Sequence, residues 1–137
     1  MGGGREEGGH GPWAYEPDEN PKRKHAWEEA EAGFVSDAQG NLVGKCPCDL
    51  TNERATELLA TAIPYSPSHW TRPYPQRLYV VDRGVVFRAT PTVPGRSYHG
   101  FPEHPERFPR SPELREGILQ RARELGCESE VRLWMEW

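Results

Sequence analysis

Four consecutive residues, Arg96, Ser97, Tyr98 and His99, put a guanidinium, a hydroxyl, a phenol and an imidazole into one short stretch. Gly95 precedes them and Gly100-Phe101-Pro102 follows. Imidazole titrates near neutrality and is the usual acid–base group, and a guanidinium stabilises charge that develops on a phosphorane or an oxyanion. Arg88 lies just upstream, and Glu103 and His104 just downstream, so two histidines five residues apart have a carboxylate between them. Metal-free RNA cleavage needs such a set: a base for the 2′-hydroxyl, a proton donor for the leaving oxygen and a clamp on the phosphate. His99, Tyr98, Ser97, Glu103 and His104 are therefore the catalytic candidates, and Arg88, Arg96 and Phe101 the binding candidates. The competing expectation is a surface loop. There Tyr98, Phe101 and Phe108 pin prolines onto a sheet, and His99 bonds a backbone carbonyl.

Other motifs carry less chemistry. Cys46-Pro47-Cys48 is not Cys-x-x-Cys, and no second pair follows, so the tetrahedral zinc spacing is absent. The paired cysteine spacing of the zinc deaminases is absent too. The sequence thus gives no metal motif and no cofactor; a zinc-stabilised structural module would need Cys46, Cys48, Cys127 and a distant histidine to converge. Cys46, Cys48 and Cys127 are an odd number of thiols, which argues against a secreted disulfide framework and for a reducing cytoplasm. Pro102, Pro105, Pro109 and Pro112 read as a rigid strand-to-helix crossover. The alternative is a polyproline ligand for an aromatic groove.

The scaffold that must hold these residues is small. A chain of 137 residues is one domain by length. With 35% hydrophobic residues and a mean hydropathy of -0.85, its core must be modest. No apolar run approaches the ~18 residues of a membrane-spanning helix. The N-terminus is Gly-rich and has no apolar h-region, so no secretory signal is expected. Net charge is -4 but unevenly spread: residues 64–125 carry ten arginines, no lysine and six acids. Arginine forks suit phosphate and carboxylate, although arginine in place of lysine also follows from a GC-rich genome.

Along the chain, residues 1–25 read as a disordered arm, too polar and Gly-rich to offset its ordering entropy. Residues 26–137 then form one α+β domain. A short helix is expected over 26–32, ended by Gly33. A small hairpin is expected from 34–36 and 42–44 around a turn cluster. Thr51 caps a helix through about Ile63 with Ala55, Leu58, Leu59 and Ala62 on one stripe. Residues 64–75 read as a proline- and aromatic-rich loop. Residues 76–82 and 85–90 are β-rich and joined by Asp82-Arg83-Gly84. Ser111-Pro112-Glu113 starts a second main helix that Gly126 ends. Val131, Leu133, Met135 and Trp137 alternate with polar residues, which predicts a terminal strand with Leu133 in the core. The sum is a small antiparallel sheet with two main helices.

The texture from Trp27 through Lys45-Cys46-Pro47, then Arg77-Leu78-Tyr79, Phe87-Arg88-Ala89 and Ser97-Tyr98-His99-Gly100-Phe101-Pro102, resembles small α+β domains of bacterial polymorphic toxin systems. Some such domains are ribonucleases with short helices ahead of an antiparallel sheet. The resemblance implies a small effector domain that cleaves RNA without metal through a His/Arg loop. It equally implies a non-enzymatic binding, immunity or accessory protein with a cognate partner protein. The acidic net charge departs from the usual basic nuclease. Either way the expected setting is the cytoplasm, with no membrane.

Overall fold

The computed structural model describes residues 13–15, 32–36, 42–45 and 51–137. Arg83 and Gly84 both take positive φ, 52° and 83°. That is the geometry of a two-residue hairpin turn whose twist matches its strands. It joins β5 (Arg77–Asp82) to β6 (Val85–Val93) in the register Asp82↔Val85, Val80↔Phe87, Tyr79↔Arg88 and Leu78↔Ala89. β4 (Ile63–Tyr65) adds antiparallel to β5, and β7 (Ser97–Pro102) antiparallel to β6. β1 (Ala14–Tyr15) lies parallel to β7, so the sheet order is β1-β7-β6-β5-β4. β2 (Gly33–Ser36) and β3 (Leu42–Lys45) form a separate antiparallel hairpin.

Alternation along β5 and β6 divides the core into two layers. Tyr79, Val81 and Val86 face α2 (Pro112–Leu125) and α3 (Glu128–Met135), against Leu114, Ile118, Leu119, Ala122, Val131 and Met135. Leu78, Val80, Phe87 and Ala89 face the other way, towards Leu58 and Leu59 of α1 (Asn52–Leu59) and towards Trp13, Tyr74 and Tyr98. The class is α+β, and no helix among the described residues is long and apolar enough to cross a membrane.

The helix signals act as their chemistry requires. The Thr51 hydroxyl accepts from the Arg54 N–H at 3.0 Å. The Ser111 hydroxyl accepts from Leu114 N–H at 3.1 Å, with Pro112 at the first position of α2. Gly126 takes φ 76° and lets the Cys127 N–H return to the Ala122 carbonyl at 2.9 Å.

Several of the expected elements take another form. The predicted terminal strand is α3. Val131 and Met135, four residues apart, are 0% and 1% exposed, whereas Leu133 is 82% exposed. The period-2 pattern therefore concealed an i, i+4 pair, and Glu128 and Glu130 suit the positive end of a helix. The helix expected through Ile63 stops at Leu59, because Ile63 and Tyr65 are needed opposite Tyr79 and Arg77. β4 in turn takes up the start of the expected 64–75 loop, and its Pro64 is tolerated on an edge strand. The Gly95–Pro102 loop is instead a turn leading into β7, and β6 runs on to Val93 to pair with it. Finally, Trp13 within the expected arm is only 7% exposed and meets the Tyr98 ring edge-on at 5.0 Å. Burial of this indole among Leu59, Tyr74 and Tyr98 works against the ordering entropy of the segment. The remainder of 1–25, residues 26–31 of the helix expected over 26–32, the turn expected at 37–41, Cys46 and Cys48 lie outside the described residues.

Candidate functional site

Strand alternation places Arg77, Tyr79, Arg88 and Phe101 on the α2/α3 side of the sheet, and Glu103 follows at the end of β7. Glu103 is completely buried. Its Oε2 accepts from the Tyr79 hydroxyl at 2.9 Å and its Oε1 from the His104 N–H at 3.1 Å. Its own N–H donates to the Val86 carbonyl, and its carbonyl accepts from the Trp134 indole, both at 2.9 Å. Two guanidiniums compensate the charge: Arg88 Nε stands 3.6 Å from Oε1, and Arg77 Nη1 3.9 Å from Oε2. Arg77 also donates to the Tyr79 oxygen at 3.0 Å and to the Arg107 carbonyl at 3.4 Å. Arg88 lies over the Phe101 ring at 4.8 Å. Its Nε is buried without a hydrogen-bond partner among the described residues, since 3.6 Å is beyond hydrogen-bond length.

The electrostatics follow from that crowding. Burial pushes the Arg88 guanidinium below its ordinary pKa, and the positive charges of Arg77 and Arg107 push the same way, against Glu103. Burial, then the Glu103 carboxylate, push the Tyr79 phenol well above its ordinary value. The group is a pinned knot of charges at the centre of the domain.

His99 sits on the same face one step further along, opposite Thr90 on β6. Its Nδ1 is 2.7 Å from the Thr92 hydroxyl, and its Nε2 is 3.3 Å from the Thr90 hydroxyl. Hydroxyls both donate and accept, so this pair holds either tautomer. A half-buried imidazole held in this way can transfer a proton at Nε2 if a substrate displaces Thr90. His104 does not join it. Five extended residues at ~3.3 Å each separate the two by roughly 16 Å. The His104 Nδ1 accepts from the Glu106 N–H at 3.1 Å, and its ring meets Phe34 edge-on at 5.1 Å.

The other candidates are spread further. Tyr98 faces α1, is fully buried, and donates to the Pro75 carbonyl at 2.7 Å. Burial, then Tyr74, raise its pKa. The buried Ser97 hydroxyl accepts from Val93 N–H at 3.2 Å and closes the β6–β7 turn. Arg96 is exposed in that turn, away from Arg88. Phe101 is buried as the shelf beneath Arg88. Chain adjacency thus does not become spatial convergence, because successive residues of a strand point to opposite faces.

No protein-family model, curated protein or solved structure matches this chain.

Sequence reasoning missed Arg77, Tyr79 and Arg107 as members of the cluster. The signal was present. If Arg83-Gly84 forms a two-residue turn, Tyr79 must pair with Arg88, and Arg77 must share their face. Among the described residues no group of three or more His, Cys, Asp and Glu side chains could hold a metal. Cys127 is a free, partly buried thiol beside the α2/α3 core.

Proposed function

We propose that the protein acts by binding a cognate partner protein rather than by catalysis, in the manner of the immunity or accessory proteins its sequence resembles. The observation that supports this most is the scatter of the acid–base candidates. Ser97, Tyr98 and Glu103 are sealed and spent on the scaffold, and His104 stands far from His99. A proton-transfer catalyst needs its groups within reach of one reacting atom. A binding protein needs only a rigid scaffold, and the Glu103 knot and the Tyr98 anchor supply one.

The ribonuclease reading keeps one specific support: His99 has its Nδ1 held by Thr92 and shares a face with Arg88 and Arg77. In that reaction Nε2 would take the 2′-hydroxyl proton as the oxygen bonds to phosphorus. The 5′-oxygen would leave with a proton from water, giving a 2′,3′-cyclic phosphate. The deciding experiment incubates the full chain with single-stranded RNA in the presence of a chelator. Intact RNA over hours at micromolar protein is the expected result. Cleavage to cyclic phosphate ends that His99→Ala abolishes, without lowering the melting temperature, would overturn the binding reading.

A further inference from the structure

The crossover from β7 to α2 borders a cleft of about 460 Å³, lined by Glu106, Phe108, Arg110, Pro112, Arg115 and Trp137 among others. Neither His99 nor Glu103 lines it, although Phe108 in its floor rests on Tyr79. Its aromatic floor is fixed: Phe108 packs edge-on to Tyr79 at 5.5 Å and to Trp137 at 5.2 Å. Its far wall is the start of α2, locked by the Ser111 cap and Pro112.

Two cations on these walls have no counter-ion among the described residues. Among the described residues, neither Arg110 nor Arg115 lies within ion-pair distance of a carboxylate. Most other arginines of the helical layer are paired: Arg121 with Glu124, Arg123 with Glu116 and Glu128, and Arg132 with Glu128. Arg115 is instead stacked over the Trp137 ring at 4.9 Å. Stacking fixes the plane of a guanidinium and leaves its N–H edges free for a bidentate acceptor.

We propose that this cleft receives an acidic peptide segment of the partner protein, its carboxylates taken by Arg110 and Arg115 and an apolar side chain resting on Phe108 and Trp137. The assignment rests on the partner-binding reading above. Charge complementarity selects the occupant. Two forks on an aromatic floor match carboxylates flanking an apolar residue. A nucleic-acid strand fits less well. Arg115 already covers one face of Trp137, so a base cannot stack on that face. Because the walls are held before binding, little ordering cost falls on the protein.

The test uses isotope-labelled full chain and a blocked six-residue peptide of alternating glutamate and leucine, with a lysine–leucine peptide and polyuridylate as comparison arms. The acidic peptide is expected to shift the Trp137 indole N–H and the amides of residues 106–115, and to bind more weakly as salt rises. Arg110→Gln and Arg115→Gln should each weaken it by about tenfold, the loss of one charge-assisted contact. Arg72→Gln, remote from the cleft, should bind as the native chain does. The assignment is overturned if the acidic peptide leaves those signals unmoved, if the double variant binds it equally well, or if polyuridylate moves the same signals more strongly. Failure here with RNA left intact removes this assignment alone. RNA cleavage that depends on His99 removes the binding reading beneath it.

Discussion

Replacing Glu103 by Ala should be among the most damaging single changes in this domain, and its cost can be assembled from the contacts. The substitution strips the Tyr79 hydroxyl of its acceptor at 2.9 Å and the His104 N–H of its acceptor at 3.1 Å. A buried polar group left unsatisfied costs about 1–3 kcal/mol. It also leaves Arg88, whose side chain is only 11% exposed, with no carboxylate beside it. Removing one partner of a buried ion pair costs about 3–5 kcal/mol, a range that already includes part of the hydrogen-bond loss. A total of about 4 kcal/mol is a large share of the ~5–15 kcal/mol stability of a typical domain. It corresponds to a fall in melting temperature of roughly 10–20 °C. Urea unfolding followed by tryptophan fluorescence measures it. Replacing the pair together, Glu103→Leu with Arg88→Met, should recover most of the loss, since well-packed apolar residues often match a buried ion pair. A loss below ~1 kcal/mol for Glu103→Ala, or no recovery in the double variant, would refute the view that Glu103 organises the sheet face.

Three further outcomes are expected. Leu133→Ala should change stability by less than ~0.5 kcal/mol, because Leu133 is 82% exposed, whereas Met135→Ala, 1% exposed, should cost about 2–5 kcal/mol; the reverse order in denaturant midpoints would restore the terminal strand. Gly84→Ala should cost more than Gly126→Ala: both have positive φ, but a Cβ at Gly84 would stand 2.5 Å from Glu130 Cβ while Gly126 has nothing within 4 Å, so equal melting temperatures would show that α3 yields freely. Tyr79 and Tyr98 have folded-state pKa values raised chiefly by burial, so their stabilisation is complete below the unfolded value near 10 and is lost as pH rises above it. Ultraviolet titration should show both phenols ionising only as the chain unfolds, and ionisation near pH 10 in the folded state would contradict their placement.

Where local chemistry decides structure, the fold was readable in advance. Thr51, Ser111, Pro112 and Gly126 mark helix ends through caps that need only near neighbours. Arg83-Gly84 marks its hairpin through turn geometry, and β5 and β6 declare themselves by β-branched and aromatic content. Where distant partners decide, the pattern misled. Alternation over 131–137 satisfied a strand template, and only the packing of Val131 and Met135 beneath the sheet selects a helix. Ile63 sits in a sheet rather than a helix because Tyr79 is opposite it. The candidate site divided in the same way. His99 and Glu103 were recognisable by type, but their roles depend on Thr90, Thr92, Arg77 and Tyr79, which belong to other strands. Arg110 and Arg115 were visible as part of an arginine-rich stretch, yet nothing in one dimension separates them from the arginines that the fold pairs with acids.

The short β1 strand has a consequence for self-association. Ala14 donates its N–H to the Arg96 carbonyl at 3.2 Å, and Trp13 seals over Tyr98. Those residues cover the Ser97–Tyr98 end of the outer rim of β7, which would otherwise present bare backbone donors and acceptors to any passing strand. They are joined to that rim from far away in the chain, so the clasp carries a loop-closure penalty. Loss of Trp13–Tyr15 would therefore do more than remove a tail. It would turn a protected sheet into one with a sticky border, prone to pairing edge to edge with another molecule of the same kind.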